Sequence, residues 1–495
     1  MQRDLKLWWA AALAASAAWA QSPHRCADVS SYRAIGLTLQ ISKAEPVAAS
    51  AKLPAYCRVD GAIDPRTGVD GKSYAIGFAL ALPDAWNGRF LFQGGGGLNG
   101  NVANPTGGNA AGDTPALARG FAVVSSDTGH KGAVFDAGFM RDQQAALDFY
   151  YLAIGKVTVL AKDIIAWYYG RGAEHSYYDG CSTGGREGMI VSQRYPAYFD
   201  GVISGDPAMR TGYSNLALGY IASVFAKAGP APLLSDSDRK LIVKSLLDKC
   251  DARDGLADGM IFDARGCDFD PASLQCAGAK TDQCLTAAQV DALHSAFAGP
   301  KSLHGDPYYP GIPYDAGIDD AGGIPGILRG PRIPVQTGAD MSHFDVDAEA
   351  ARIAANGGAL LGDTTVTNLS TFAGHGGKLI FYHGLSDPWF SPFDTLQYYQ
   401  GLAKGTPGSA PVASWSRLYL VPGMGHCGGG SATLDRFDMV TAIVNWVERG
   451  QAPDRVIATG AAFKGRSRPL CAYPQYAHYN GSGDPNDAAN FTCKE

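Results

Sequence analysis

The 495-residue chain has no run of basic residues. Its 41 Lys and Arg are scattered among 47 Asp and Glu, for a net charge of −6, so no surface is marked for a phosphate backbone and no nucleic-acid partner is expected. Charge is sparse overall, 18% against 46% hydrophobic residues, which excludes a disordered polyelectrolyte and fits a globular chain of two or three domains. After the first 20 residues no apolar run is long enough to span a bilayer, which takes about 20 residues. There is no Cys-x-x-Cys and no histidine placed to complete a tetrahedral zinc set. No internal repeat is evident, which excludes a repeat architecture.

The N-terminus carries an export pattern. Arg3 and Lys6 precede an alanine-rich apolar stretch, Leu7 to Trp19, and Ala18-Trp19-Ala20 is a small-x-small cleavage site. Residues 1–20 are expected to be a signal peptide, the mature chain to begin at Gln21, and the protein to be secreted or periplasmic with no remaining membrane span. The competing reading, a retained anchor, is disfavoured by the shortness of the run. In an oxidising compartment an even count of ten cysteines implies disulfides. The spacing suggests local pairs Cys26–Cys57, Cys250–Cys267, Cys276–Cys284 and Cys471–Cys493, which leaves Cys181 and Cys427.

Short apolar runs alternate with helical stretches. Arg89–Gln93, Phe121–Ser125, His175–Gly180, Phe199–Ser204, Lys378–His383 and Arg417–Val421 read as strands. Asp142–Tyr169, Gly185–Arg194 and Phe437–Glu448 read as helices. The alternation predicts an α/β fold, a mostly parallel sheet flanked by helices. It fades between about 208 and 367, where Gly, Pro, Asp and four cysteines accumulate. That stretch reads as an inserted domain, leaving 21–207 and 368–495 to form the core.

Gly180-Cys181-Ser182-Thr183-Gly184 matches G-x-S-x-G and falls between a predicted strand and a predicted helix. Such a sharp turn exposes the serine hydroxyl above the sheet. A serine nucleophile needs a base and the base an orienting acid, in the chain order Ser, acid, His for this architecture. Asp387 follows the strand at 378–383, and His426 follows the strand at 417–421. His383, within its strand, reads as a core or supporting residue. His375 falls on the wrong edge of the sheet, and His130 is placed to line the pocket. If Ser182 and His426 meet, Cys181 and Cys427 should come within disulfide range, about 4.4–6.8 Å between Cα atoms. The N–H of Thr183 and the glycine run Gly94–Gly97 are the candidate oxyanion donors. A phosphate loop is disfavoured because no Lys-Ser/Thr follows the glycines.

Asp251, Asp254 and Asp258 lie in Cys250-Asp-Ala-Arg-Asp-Gly-Leu-Ala-Asp-Gly-Met260. Clustered carboxylates with intervening glycines suit Ca2+, with backbone carbonyls such as those of Leu256 and Met260 completing the shell. The alternative is a solvated acidic turn. No organic cofactor is expected.

Gly180-Cys-Ser-Thr-Gly-Gly-Arg-Glu-Gly188, Ser386-Asp387 and Gly425-His426-Cys427 resemble the tannase and feruloyl esterase family, as do Trp86–Phe90, the aspartate loop and Arg468-Pro-Leu-Cys471. The resemblance covers nearly the whole chain after the export pattern. It implies an α/β-hydrolase core with an inserted lid. It implies a triad of Ser182, Asp387 and His426, oxyanion donors at Gly97 and Thr183, and a structural calcium in the lid held by the five residues just named. It implies the five disulfides, with Cys181 bonded to Cys427. Phe390, with Trp389 and Gly96, would contact the substrate. Family members that cleave mono(2-hydroxyethyl) terephthalate carry Glu at the place of Thr183 and Ser at that of Gly96. The lid here is shorter than theirs, and Arg329 or Arg332 are the arginines at hand to grip a substrate carboxylate. The expected function is hydrolysis of small aromatic carboxylic esters through an acyl-enzyme, with feruloyl esters first and gallate or terephthalate monoesters next. The rival readings are a non-catalytic calcium-binding surface protein and a serine protease or amidase of the same fold.

Overall fold

The computed structural model describes residues 24–226, 233–330, 344–408 and 410–495. The expected signal peptide and Arg332 therefore lie outside the described residues. Nine strands form one sheet: β1 (Leu39–Val47), β2 (Tyr56–Thr67), β3 (Ser73–Pro83), β4 (Arg89–Gln93), β5 (Ala122–Ser126), β6 (His175–Cys181), β7 (Gly201–Gly205), β8 (Lys378–Gly384) and β9 (Ser416–Val421). Their spatial order is β1-β2-β3-β5-β4-β6-β7-β8-β9. From β5 to β9 every pairing is parallel, and β1, β2 and β3 add an antiparallel wing.

The expected core strands form within one or two residues of their predicted bounds. Alternation along them divides the interior into two layers. Phe90, Phe92, Tyr178 and Phe381 point to one face, where they meet α2 (Ala153–Tyr169), α3 (Thr183–Arg194) and α10 (Pro392–Gly405). Leu91, Tyr177, Ile203 and Ile380 point to the other, against α11 (Met439–Arg449). The predicted helix at 142–169 is α1 (Gln143–Leu147) continued through a π-helical turn, Asp148–Leu152, into α2.

Between β7 and β8 the chain leaves the sheet. It forms α4 (Thr211–Ala226), α5 (Asp236–Cys250), α6 (Ala287–Ala298), α7 (Val346–Ala354), α8 (Gly357–Gly362) and α9 (Ser370–Gly374), with no strand among the described residues. Ser235 and Thr286 cap α5 and α6 by reciprocal bonds with Asp238 and Gln289. Ile242, Leu246, Leu293 and Ile318 belong to a separate apolar cluster beneath these helices. The C-terminal part adds β10 (Arg436–Phe437), β11 (Arg455–Thr459) and β12 (Ser467–Cys471) as an antiparallel sheet, and the hairpin β13 (Tyr476–Tyr479) and β14 (Phe491–Lys494). All ten cysteines pair as expected from the sequence. No helix among the described residues is long and apolar enough to cross a membrane.

Candidate active site

Ser182 sits at the turn from β6 into α3 with φ 65° and ψ −121°. A non-glycine residue at so sparsely populated a positive φ costs roughly 1–3 kcal/mol, so the turn must be held by its surroundings. It is: the Ser182 N–H donates to Gly205 O at 3.0 Å. A Cβ on Gly180 would stand 2.7 Å from the Gly184 backbone, and one on Gly185 only 2.1 Å from Gly205 O. The glycines of the motif are there because strand, turn and helix press together.

Asp387 lies just past β8, fully buried. Its Oδ1 accepts the N–H groups of Trp389 (2.8 Å) and Phe390 (3.1 Å), and its Oδ2 lies 2.7 Å from His426 Nδ1. Burial alone would depress the His426 imidazole, but the charge of Asp387 and its hydrogen bond prevail and leave it above its ordinary value. Burial would likewise raise Asp387, yet the facing His426 and His383 hold it well below the usual carboxylate range. The pair is built for Nδ1–H of His426 to face the carboxylate, leaving Nε2 as the basic atom. Cys181 and Cys427 are bonded, with Cα atoms 5.9 Å apart. The residues that follow one and precede the other, Ser182 and His426, are thereby drawn to the same place.

The glycine run after β4 lies against the start of α3. The Gly184 N–H donates to Gly95 O at 3.0 Å, and the Thr183 hydroxyl donates to Gly97 O. Glu187, one turn into α3, accepts from Gly95 N (3.2 Å), Asn99 Nδ2 (2.8 Å) and the Tyr178 hydroxyl (2.9 Å). Gly97 has φ +60°, which its lack of a Cβ allows. Neither Gly97 N–H nor Thr183 N–H donates to a backbone acceptor among the described residues. Gly96 is exposed, with open space where a side chain would stand.

Phe390 and Trp389 place their rings 5.2 and 5.1 Å from the His426 ring, and Phe135 meets Trp389 edge-on at 5.8 Å. The inserted stretch contributes Asp315, which the sequence reading missed. Its Oδ2 accepts from the Ser386 hydroxyl (2.6 Å) and from Gly423 N (2.7 Å), tying the loop of Asp387 to that of His426.

The other histidines divide. His383 is buried, bonded through Nδ1 to Thr395 Oγ1 (2.8 Å) and through Nε2 to Phe390 O (3.0 Å), as a supporting residue should be. His375 is exposed. His130, expected to line the pocket, is instead only 1% exposed and stacked on Phe139 at 3.5 Å, because the loop after β5 folds it under an aromatic cluster. Arg329 is held by Asp319, 2.8 Å from its carbonyl and 3.1 Å from its carboxylate, and so is already engaged.

The aspartate loop follows α5. Asp251 accepts from the N–H groups of Asp258 and Gly259, and Asp254 from those of Leu256 and Phe262. Neither forms an ion pair with a described basic residue, and both are buried. Burial, with Asp258 and Asp251 nearby, pushes Asp254 up to about 7. Asp258 is paired with Arg468 and lies 3.5 Å from Arg466. Two buried carboxylates without a counter-charge fit a hard cation. The three do not converge to within 4.8 Å as a set, so carbonyl oxygens of the loop are needed to complete a shell. Leu256 and Phe262 pack against the cluster of Cys471, Ala477 and Phe491, so the loop joins the insertion to the C-terminal hairpin.

The chain matches the family model described as tannase and feruloyl esterase over residues 57–357 and 334–494. It is 40% identical over 525 residues to the mono(2-hydroxyethyl) terephthalate hydrolase of Piscinibacter sakaiensis, covering 91% of this chain and 86% of that protein. It is 30% identical over 440 residues to feruloyl esterase B of Aspergillus niger, covering 83% and 82%. Among solved structures, feruloyl esterase B from Aspergillus oryzae superposes with a TM-score of 0.77 at 25% identity, over 95% of this chain and 99% of that one. Sheet order and relatives together define a carboxylic ester hydrolase with an α/β-hydrolase core. More particularly, the chain belongs to the tannase and feruloyl esterase family.

Proposed function

We propose that the chain is an exported serine esterase that cleaves aromatic carboxylic esters through an acyl-enzyme. The observation that carries this reading is the 2.7 Å Asp387–His426 contact beside a disulfide that joins the neighbours of Ser182 and His426. Ser182 Oγ attacks the ester carbonyl while His426 Nε2 takes its proton. Asp387 keeps His426 in the tautomer that makes Nε2 the base. The N–H groups of Gly97 and Thr183 bind the oxyanion. His426 then returns the proton to the leaving alcohol, and water repeats the sequence to release the acid.

Phe390, Trp389 and Phe135 give the site an aromatic wall, which favours an aryl acid. Thr183, rather than an acidic residue, beside the reacting carbonyl supports feruloyl esters as first choice, ahead of gallate and terephthalate monoesters. The expected lid role of the insertion is supported by α4 and the 309–312 segment, which line a small cavity together with Pro388, Trp389 and Ser391. Export of the chain fits its five disulfides.

Asp251, Asp254 and Asp258, with the carbonyls of Leu256 and Met260, would hold Ca2+. When bound, it supplies positive charge to the buried carboxylates and fastens the insertion to the C-terminal hairpin. No reaction step passes through it.

The test is kcat/KM for methyl ferulate, methyl gallate and mono(2-hydroxyethyl) terephthalate, with Ser182→Ala as control. Turnover by the wild type and its loss in Ser182→Ala are expected. A wild-type chain that hydrolyses none of them, or a variant as active as the wild type, would overturn the reading.

A further inference from the structure

We infer that Asp206 is a positioning residue for proton transfer, a second buried carboxylate that fixes the loop of His426 and supports the basicity of its imidazole. This rests on the assignment of Ser182, Asp387 and His426 given above.

Asp206 follows β7 at the C-terminal end of the sheet and is fully buried. Each of its oxygens is engaged by a different part of the site. Oδ1 accepts from Gly384 N at 2.7 Å, three residues before Asp387. Oδ2 accepts from Cys427 N at 2.9 Å, the residue after His426, and lies 3.3 Å from Cys181 Sγ, the residue before Ser182. Its own N–H donates to Tyr382 O at 2.9 Å. One carboxylate thus contacts the chain beside every member of the triad.

The backbone shows why such a clamp is needed. Ser182, Asp206 and Cys427 all have left-handed φ values, 65°, 36° and 62°. Conformations of this kind persist in non-glycine residues only where neighbouring contacts over-determine them, and they cluster at functional sites. Here the three are linked to one another, by the Cys181–Cys427 bond, the Ser182–Gly205 hydrogen bond and the Asp206–Cys427 hydrogen bond.

Asp206 also acts by charge. His383 stands between the two carboxylates, its Nε2 3.4 Å from Asp387 Oδ2 and 3.6 Å from Asp206 Oδ1. The titratable groups facing this cluster are Asp387 and His426 from the loops, His383 and Tyr382 from β8, Asp394 from α10 and Tyr309 from the insertion. Burial pushes Asp206 up to about 6, while the facing His383 and the Gly384 N–H favour its carboxylate form. Its negative charge raises His426, whereas a charged His383 lowers it. The two neighbours therefore pull the base in opposite directions.

That opposition makes the test sharp. Full-length wild type, Asp206→Asn and His383→Gln are compared on a p-nitrophenyl ester from about pH 5 to about pH 9, with rates expressed per site titrated by a p-nitrophenyl phosphonate. In Asp206→Asn an amide cannot accept both N–H groups. Its kcat should fall roughly 10–100-fold, the scale of a small misplacement of reacting groups, with KM nearly constant. Its acid limb of kcat/KM should move to lower pH, and that of His383→Gln to higher pH. A purely structural cap would lower the melting temperature but leave per-site kcat and both limbs in place, and that result overturns the proposal, as do limbs that move the same way. If Asp206→Asn yields no titratable sites, Asp206→Glu, which keeps the charge but displaces the accepting oxygens, decides: a per-site kcat below that of the wild type supports the proposal and an unchanged kcat overturns it. Failure of the esterase assignment itself would look different, since the wild type would then show no phosphonate-sensitive turnover at all.

Discussion

Cys181 and Cys427 are bonded across 246 residues of chain, each adjacent to one of the two residues, Ser182 and His426, proposed to transfer a proton between them. The bond has two separable effects. It constrains the unfolded chain, for which loop-closure entropy allows up to about 5 kcal/mol. It also fixes the approach of Ser182 to His426. Replacing both cysteines by alanine should therefore lower the melting temperature and, at a temperature where the variant is folded, reduce kcat by at least about tenfold. Unchanged kcat in the folded variant would mean the bond serves stability alone.

Asp387→Asn tests the orienting acid. The amide keeps the size of the side chain but presents a donor to His426 Nδ1 or a weaker, uncharged acceptor. The expected loss in kcat is of order 10⁴, with little change in KM. Pre-steady-state release of p-nitrophenol measures the acylation step directly.

The pH dependence follows from the same pair. His426 is effective only when Nε2 is unprotonated, and the charge of Asp387 raises its pKa against the opposing effect of burial. The acid limb of kcat/KM should have its midpoint above the ordinary histidine value of about 6.5. Activity is thus lost on the acid side sooner than for an isolated imidazole. A midpoint well below that value would contradict the geometry.

Glu187 supports from behind the Gly94–Gly97 loop, which is proposed to carry an oxyanion donor. Its carboxylate accepts from Gly95 N, Asn99 and Tyr178, which sets the position of Gly97 relative to Thr183. Glu187→Gln replaces one acceptor oxygen by a donor and so leaves one of these groups facing another donor. Loss of one oxyanion donor costs about 10²–10³ in kcat, and loosening the loop should cost less, about 10–10². The affinity of a trifluoromethyl ketone, which mimics the oxyanion, should fall in step with kcat/KM.

The legible part of this structure is the part with the strongest local signal. Strands β4 to β9 are short apolar runs, buried on both faces, and each could be read directly. The antiparallel wing could not. β1 is an edge strand with Lys43, Glu45 and Pro46, and β2 carries Asp60, Gly61, Asp64 and Pro65, residues that locally resemble turns. The approach of Asp387 to His426 and the Cys181–Cys427 bond were readable because Ser182, Asp387 and His426 each follow a strand in the order this architecture uses, and the cysteines flanking Ser182 and His426 linked two distant stretches. Asp206 and Asp315 were not: Asp206, between Gly205 and Pro207, looks like a turn former, and Asp315 is a lone aspartate in a Gly- and Pro-rich stretch. For Asp206 one signal was present: a carboxylate at the C-terminal end of a core strand next to the nucleophile's own, where ligand-facing residues gather in open α/β sheets. Asp315 had none, because only the folded insertion brings it to Ser386 and Gly423.

The aspartate loop gives a prediction that does not depend on activity. In the absence of a cation, Asp254 has a folded-state pKa of about 7, raised by burial and by its acidic neighbours, against about 3.9 in an unfolded chain. The folded state then holds its proton more tightly than the unfolded one. Between those two values the folded protein loses stability as pH rises, because ionising Asp254 is unfavourable only in the fold. Ca2+ bound at the proposed site would remove that penalty by supplying the opposite charge, and binding would stabilise the fold by about 2.7 kcal/mol at a concentration 100 times Kd. Adding Ca2+ to chelator-treated protein should raise the melting temperature, and the increment should be larger at pH 8 than at pH 5. Asp254→Asn should abolish most of the increment and make the metal-free protein less sensitive to pH over the same interval. A calcium increment that is absent, or equal at both pH values in the wild type, would show that the loop is a solvated acidic turn.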